Sequence, residues 1–413
     1  MSQKKAIVLG GTTAHIALIK NLHKRNYYVI LVDYLENPPA KKEADLHIKE
    51  STLDEDKVLS IARDYEVDLV ISACVDQANI TACYVMEKLG KCPPYSYETA
   101  LQITNKGYMK QVMKGNDIPT SKYIYVNDSE LYDISSLTFP LMVKPADCNS
   151  ASGVKKACDK RELDQYLKDA LDYSRSGNAV IEEVVKGKEV SIYSFVEDYK
   201  AKIIMVSERF SVIEGAKQVL KCYATLAPAR LNEEIYKKLE DICTQIASCF
   251  KLNNTPLHVQ AFIDEDRINV IEFAPRVGGG FSYQTILDNT GFDIIDATVN
   301  SFIGNKVHVD AHKPESYYSI NLIYGNPAVF GYISGGDTLI KEKIIENLFY
   351  HKTPGMTISN EKAAAERIGA YIIKANNLNE LKRKTEIAIN ELEVYSSDNE
   401  KIMRKELSIL KDI

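Results

Sequence analysis

Short apolar runs alternate with segments of helical periodicity over residues 6–89, and this alternation is the strongest constraint on the fold. A glycine turn at Gly10-Gly11 follows the first run, while Asp33 and Asp76 follow the next two. Because strands that alternate with helices form parallel sheets, we predict a parallel α/β unit here. Open sheets of this kind bind ligands beyond the carboxyl ends of their strands, where both aspartates are expected to lie. The apolar runs are 6–9, 28–32 and 67–73.

A different pattern begins after the segment Cys92-Pro93-Pro94. A helix is predicted over 98–116, and strands joined by short glycine-containing or charged turns follow it, which is typical of antiparallel sheets. The predicted fold class is therefore α/β followed by α+β. The strands are predicted at 139–144, 179–185, 189–196, 201–207, 257–263 and 268–273, with helices at 232–250 and 377–392.

The composition argues against several classes of function. The 413 residues carry a formal net charge of −6 and are 45% hydrophobic, which fits a globular protein and argues against nucleic acid or a membrane as partner. No apolar run is long enough to span a bilayer and no signal peptide is recognised, so we expect a cytoplasmic protein. The eight cysteines form no CxxC pair, which favours reduced thiols over disulfides or a zinc site.

The first glycine turn lacks the GxGxxG spacing, so NAD binding is a weak alternative, and the sequence has no GxxxxGK[ST] loop. Lys144 instead ends an apolar strand and precedes a run of small polar residues that includes Ser152 and Gly153. Small side chains let backbone amides approach phosphate oxygens, and a lysine supplies a positive charge. A plain hairpin loop is the alternative interpretation.

Three acidic residues, Glu182, Glu183 and Glu189, lie near Val184 and Val185 at the end of one predicted strand. This combination suits a purine nucleoside, because backbone groups can bind the base edge while carboxylates accept from its amine and from ribose hydroxyls. Solvated charges on an exposed strand face are the alternative.

The hairpin predicted over 257–273 carries the strongest single signal. Gln260 and Glu272 lie on its two strands, where their oxygens can converge on a magnesium ion beside nucleotide phosphates. Arg276 follows, placed to neutralise a transferred phosphoryl group or to hold a carboxylate. A buried glutamate–arginine pair with a glycine turn is the alternative. The glycines that expose backbone amides after Arg276 are Gly278, Gly279 and Gly280.

These motifs occur in one order behind an α/β unit: Lys106, Lys144 with its loop, the acidic segment and the Glu272–Arg276 strand. The arrangement resembles the ATP-grasp superfamily of carboxylate–amine ligases, in the branch with a Rossmann-like N-terminal domain. It is similar to L-amino acid ligases, glycinamide ribonucleotide synthetase, carbamoyl phosphate synthetase and biotin carboxylase. The resemblance implies a Rossmann-like domain over 1–93, an ATP-grasp domain over 94–303 with a mobile lid at about 120–186, and a closing C-terminal subdomain over 304–413.

The resemblance also implies roles for single residues. Lys106 and Lys144 would contact the nucleotide phosphates, and the loop with Ser152 and Gly153 would close over them. Arg276 would stabilise the γ-phosphate and an acyl phosphate, which makes Arg276 and Lys144 the catalytic candidates. The adenosine would contact Glu182, Glu183, Val184, Val185 and Glu189; the metal would contact Gln260 and Glu272; and the substrates would contact Asp76, Arg276, Gly278, Gly279 and Gly280.

One position departs from the family pattern. The metal strand usually reads Glu-x-Asn-x-Arg, whereas this chain has Ala274 in place of the asparagine. Glu272 is then the one anionic ligand among these positions, so a water or a neighbouring residue completes the metal shell, the second metal ion is weakly held, or catalysis is impaired.

The implied activity is the ATP-dependent joining of a small carboxylic acid to an amine through an acyl phosphate, with release of ADP and phosphate. The cofactors are ATP and magnesium, with manganese as an alternative, and the best-matching subclass is amino acid or peptide ligation. Activation of bicarbonate or another small acid, and a non-catalytic ATP-binding regulator, are the other hypotheses. Because look-alikes are commonly homodimers, a second copy of this chain is the one macromolecular partner suggested.

Overall fold

A computed structural model describes residues 3–129, 132–148, 153–215, 218–359 and 366–413. Ser152, expected in the phosphate-binding loop, lies outside the described residues. In the described part of the chain, no helix is both long and apolar enough to cross a lipid bilayer.

The N-terminal sheet is parallel, as predicted. Its strands are β1 (Lys4–Leu9), β2 (Tyr27–Val32), β3 (Leu46–Ile48) and β4 (Leu69–Ile71). They lie in the order β3-β2-β1-β4 and alternate with the helices α1 (Thr13–Lys24), α2 (Glu55–Asp64) and α3 (Asp76–Lys88). β1 and β2 are nearly continuous apolar runs because helices cover the sheet, which removes the polar alternation of a half-exposed strand.

The helix predicted over 98–116 is two helices, α4 (Tyr97–Thr104) and α5 (Lys106–Gly115). Asn105 separates them in an extended conformation, and its side chain accepts a hydrogen bond from the Tyr108 N–H at 3.0 Å. An asparagine that caps a helix in this way competes with a continuous helical backbone. The break places Lys106 in the first turn of α5, with its N–H donating to Ala146 O at 2.9 Å.

A small antiparallel sheet follows, with the order β5-β8-β6-β7. α6 (Lys160–Tyr173) packs against it through Leu163, Leu167 and Ala170, which recur at helical spacing. The strands are β5 (Tyr123–Val126), β6 (Leu141–Pro145), β7 (Lys155–Ala157) and β8 (Ala179–Glu183).

An eight-stranded sheet forms the largest layer. Its first five strands in the chain are β9 (Lys188–Glu197), β10 (Lys200–Glu214), β11 (Val219–Ala227), β12 (Thr255–Asp264) and β13 (Arg267–Ala274). Its C-terminal strands are β14 (Tyr317–Tyr324), β16 (Asn347–Tyr350) and β18 (Arg367–Ala375), and the full order is β13-β12-β9-β10-β11-β14-β18-β16. Pairing of β11 with β14 therefore continues one sheet across the domain boundary expected near residue 304.

β10 extends beyond the strand predicted over 201–207. Glu208 and Arg209 lie inside the strand, where Glu208 binds Arg230 and Arg209 binds Glu189. Paired charges can remain in a buried strand, so the polar run does not end it.

The remaining elements complete the layers. α7 (Glu233–Cys249) packs on β10 and β9, and α9 (Ile294–Phe302) packs between α1 and β12. The other strands, β15 (Ala328–Ser334), β17 (Thr357–Ile358) and β19 (Glu393–Ser396), form a three-stranded sheet. The other helices are α8 (Ser282–Thr290), α10 (Gly336–Lys341) and α11 (Leu378–Glu391), and short 3-10 turns occur at Pro39–Glu43 and Ile409–Lys411.

Candidate active site

The carboxyl edge of the parallel sheet contacts the segment that follows the β12–β13 hairpin. Arg276 Nε lies 2.5 Å from Asp76 Oδ1, and Arg276 Nη2 lies 2.9 Å from Asp76 Oδ2. This two-point contact fixes the plane of the guanidinium group. Arg276 Nη1 also donates to Val277 O at 2.9 Å, so these contacts use three of the five N–H groups of Arg276.

Asp33 lies at the same edge but closes its own turn, since its Oδ1 accepts from the Leu35 N–H at 2.8 Å. Of the two aspartates that follow strands in the sequence, Asp76 is the one that the structure joins to Arg276.

Gln260 and Glu272 are direct cross-strand partners in the hairpin, as predicted, so their side chains share one face. The Gln260 Nε2 donates to Glu272 Oε1 at 2.7 Å, and the Gln260 oxygen accepts from Arg209 Nε at 3.2 Å. The opposite orientation of this amide would place its oxygen against acceptors and its nitrogen against donors. Lys106 Nζ lies 3.9 Å from Glu272 Oε2 and also donates to Cys148 O. A carboxylate and an amide of the hairpin therefore meet two cations, Lys106 from α5 and Arg209 from β10.

Lys144 forms a buried ion pair with Glu182 across the small sheet. A second lysine, Lys110, lies 2.6 Å from Glu182 Oε2 and donates to Thr120 and Ser121. Burial alone would raise the pKa of Glu182, but the two ammonium groups outweigh it and bring that pKa to about 2. Burial lowers the pKa of Lys110, and Glu182 opposes this shift. Glu182 is thus an anion held between two cations.

The segment after β8 has most of its polar groups engaged. Glu183 Oε1 accepts from the Thr138 N–H at 3.0 Å, and the Val184 N–H donates to Pro140 O at 3.2 Å. Val185 follows this point and is half-buried. Glu189 lies further along the chain, near the start of β9. Its two carboxylate oxygens accept hydrogen bonds from Arg209 Nε at 2.8 Å and from Ser211 Oγ at 3.3 Å.

The glycines after Arg276 lie in two environments. A Cβ on Gly278 would lie 2.4 Å from a carbon of the Tyr193 ring, so this position requires glycine. Gly279 and Gly280 are exposed, and a Cβ on either would meet open space. In the other loop, Gly153 has a φ of +74°, and a Cβ there would lie 2.7 Å from Pro145 Cγ. Both loops therefore depend on glycine at one position for close packing.

A cavity opens between α3, α4, α5 and the hairpin. Both ion pairs line it, namely Asp76 with Arg276 and Lys106 with Glu272, and Gln260 lines it as well. The residues that the sequence assigned to the metal and to the substrates thus meet at one site, except for the glycines. Lys144, Glu182 and Glu183 lie in the neighbouring small sheet, and Glu189 lies on β9 of the eight-stranded sheet.

Sequence reasoning missed two charged residues of this region, Lys110 and Arg209. Lys110 lies one helical turn after Lys106, and that spacing on an amphipathic helix was the available signal. Arg209 carried no signal, because its importance comes from strand pairing with Glu189 and from proximity to Gln260. His258 lies in β12, lines the cavity, and stacks on Tyr193 with 5.2 Å between ring centroids.

Comparison with known proteins supports the resemblance. The model of the ATP-grasp domain family matches residues 137–284. A formate-dependent phosphoribosylglycinamide formyltransferase of Ignicoccus hospitalis is 24% identical over 253 residues, which is 60% of this chain and 63% of that protein. A D-alanine–D-alanine ligase of Acetivibrio thermocellus is 35% identical over 230 residues, which is 50% of this chain and 60% of that protein. The chain thus spans somewhat less than two thirds of these two relatives.

The fold has the same likeness. The crystal structure of an L-amino acid ligase from Bacillus licheniformis superposes with a TM-score of 0.79 at 16% identity, over 96% of this chain and all of that one. The likeness extends from the parallel sheet to the C-terminal strands. Residues 137–284 therefore match the ATP-grasp domain family, and the chain has the fold of this ligase over nearly its whole length, as its motifs predicted.

Proposed function

We propose that this protein is an ATP-dependent ligase that joins a small carboxylic acid to an amine through an acyl phosphate, and that its reaction takes place in the cavity beside the hairpin. The observation that carries the proposal is the convergence of Lys106, Glu272, Gln260 and Arg276 on this one cavity. Phosphoryl transfer depends on positioning and charge neutralisation, and these four side chains provide both. The names of the relatives, which include D-alanine and L-amino acid ligases, support the same class.

The nucleotide would lie between the small sheet and β9. Lys106 and Lys144 are placed for the phosphates, and the loop that contains Ser152 and Gly153 would cover them. Because the Glu183 N–H donates to Lys122 O and the Val184 N–H donates to Pro140 O, we assign the adenine contact to the backbone of Val185. Glu182 is engaged by both lysines, so its proposed role is to hold Lys144 in position.

Glu189 is the proposed ribose ligand. Its carboxylate accepts from Arg209 and Ser211, and a carboxylate can accept further hydrogen bonds from ribose hydroxyls.

Glu272 and Gln260 fit a magnesium ion as partial ligands. Carboxylate and amide oxygens are groups that magnesium binds, but the described residues contain no cluster of three or more His, Cys, Asp or Glu side chains that could hold a metal ion. Phosphate oxygens and water would complete the shell, and the Gln260 oxygen, which faces Arg209, would have to turn toward Glu272. When bound, magnesium neutralises charge on the phosphates.

The reaction has two balanced steps. A carboxylate oxygen of the acid attacks the γ-phosphorus of ATP, and the bond to the bridging oxygen breaks to release ADP. The amine nitrogen then attacks the acyl carbon, phosphate leaves, and the nitrogen loses a proton. Arg276, held in place by Asp76, directs its remaining N–H groups to the transferred phosphoryl group, and the amides of Gly279 and Gly280 are available to a substrate carboxylate.

The test uses hydroxylamine as a general amine. Purified protein with magnesium-ATP is given pooled small acids and hydroxylamine, and both hydroxamate and ADP are measured. We expect stoichiometric formation of the two with at least one acid, and formation about a hundredfold or more slower with the Glu272→Gln variant. ATP binding without ADP release from any pool would refute the ligase and favour the non-catalytic regulator.

A further inference from the structure

The cavity extends beyond the ion pairs into an apolar region. Ile103 of α4, Met109 of α5 and Phe273 of the hairpin line this part. The cavity therefore has a charged end at Glu272 and Arg276 and an apolar body next to α4, which is the shape of a site for a small molecule with one charged end.

The hairpin register explains why this space exists. His258 pairs with Ala274 and Gln260 pairs with Glu272, and all four residues line the cavity. Side chains at alternate positions of a strand share one face, so residue 274 stands beside Glu272 in the cavity wall. An alanine leaves open the space that a longer side chain at this position would occupy.

One side chain in this wall has a hydrogen-bond acceptor without a partner. Asn79 is buried, its Nδ2 donates to Val75 O at 3.1 Å, and its buried Oδ1 has no partner in the described part of the chain. A buried acceptor without a partner is costly, so a donor on a bound molecule would stabilise it.

The charged side chains that line the cavity lie in pairs of opposite charge. Asp76 is engaged at both oxygens by Arg276, and Lys106 lies beside Glu272. A cationic group in the apolar body would find no free carboxylate there, and an anionic group would meet the unpaired Asn79 oxygen.

We propose that this cavity holds the body of the acid substrate, a short uncharged chain that bears a hydroxyl or carboxamide donor to Asn79, with its carboxylate directed at Arg276. This inference rests on the proposed ligase function, which assigns the reacting carboxylate to that end. Asn79 is the residue that sets specificity, and Ala274 provides the space.

The test uses acids that share a four-carbon chain: butyrate, 4-hydroxybutyrate, succinamate, succinate and 4-aminobutyrate. Binding to the full chain is measured by calorimetry with magnesium and a non-hydrolysable ATP analogue, so that turnover is not required. We expect 4-hydroxybutyrate and succinamate to bind at least about fivefold more tightly than the other three, as one hydrogen bond to a buried acceptor allows.

Asn79→Leu should reduce the affinity for these two acids to that for butyrate. Asn116→Leu is the matched control, because Asn116 Nδ2 makes the same bond to the carbonyl four residues earlier, at Val112, on an exposed helix end. Ala274→Val should weaken all five acids together. Equal binding of butyrate and 4-hydroxybutyrate, tightest binding of a charged acid, no binding of any acid, or an unchanged preference in Asn79→Leu would each overturn the inference.

The two proposals fail separately. Binding of the acids in the expected order without hydroxamate formation would support the specificity site and refute the ligase proposal. Hydroxamate formation with no preference for acids that carry a hydrogen-bond donor would support the ligase proposal and refute the specificity site.

Discussion

The buried pair of Lys110 and Glu182 should contribute strongly to stability. Their side chains are 2% and 6% exposed, and Lys110 Nζ lies 2.6 Å from Glu182 Oε2. The pKa of Glu182 is lowered from 4.5 to about 2, which corresponds to about 3 kcal/mol of interaction with its surroundings, including Lys144. Removal of one partner leaves a buried charge with less compensation, so Lys110→Met should lower the free energy of unfolding by about 3 kcal/mol.

A double-mutant cycle separates this pair from the loss of packing. The single variants Lys110→Met and Glu182→Gln and the double variant are compared by urea unfolding at neutral pH. We expect a coupling energy of about 2 kcal/mol. The reason is that Lys110→Met alone leaves the Glu182 anion buried without this cation, whereas the double variant has no anion at this position. Lys144, which is less deeply buried than Lys110, can turn toward solvent in the double variant.

The exposed pair of Lys160 and Asp164 is the matched control. These groups lie 2.5 Å apart on one helix face, but their side chains are 57% and 52% exposed. Water and salt screen such a pair, so its coupling energy should not exceed about 0.5 kcal/mol. A coupling energy for Lys110 and Glu182 as small as that of the control would refute the argument that burial makes this ion pair strong.

Three further predictions concern pH, packing and the metal. Because the folded-state pKa of Glu182 is lowered to about 2, the stability that its ionised form contributes is complete above pH 4.5 and is lost toward pH 2. Between pH 7 and pH 3.5, the free energy of unfolding of the wild type should fall by roughly 1.4 kcal/mol more than that of Glu182→Gln, as measured by urea unfolding. Equal losses in the two proteins would contradict the assignment. Gly278→Ala should lower the free energy of unfolding by about 1 to 3 kcal/mol, because its Cβ would lie 2.4 Å from the Tyr193 ring. Gly279→Ala, whose Cβ meets open space, should leave the free energy of unfolding nearly unchanged, and urea unfolding measures both variants. Glu272→Gln should reduce ADP release by about a hundredfold or more and raise the magnesium concentration needed for half-maximal rate, with an unchanged melting temperature; wild-type kinetics in this variant would remove the metal assignment.

The sequence by itself predicted the order of strands and helices well where the pattern was local. The apolar runs of β1, β2 and β4 alternate with helices, and a chain with that periodicity has few ways to bury both faces of the sheet. The β12–β13 hairpin was also predictable, because a charged turn separates two apolar strands of similar length, and its register places Gln260 opposite Glu272. Local patterns decide such features because the interacting residues are close in sequence.

The break between α4 and α5 was a failure of local reasoning, since the apolar spacing continues through Asn105 and only its capping geometry ends the first helix. The strand predicted over 201–207 was too short for a different reason. The charged residues Glu208 and Arg209 continue β10, and their partners are Arg230, which follows β11, and Glu189 on β9.

The sequence therefore determined which elements form and which residues could bind a nucleotide, a metal ion and a carboxylate. The tertiary structure decided which of them meet: Asp76 and Arg276 are 200 residues apart and form one ion pair. Lys110 joins Glu182, although the motif included only Lys106 of the same helix. The physical reason is that periodicity and turn chemistry act over a few residues, whereas ion pairs, buried acceptors and cavities arise from contacts between distant segments. Asn79 became informative only when the structure brought α3 and the hairpin to the same cavity.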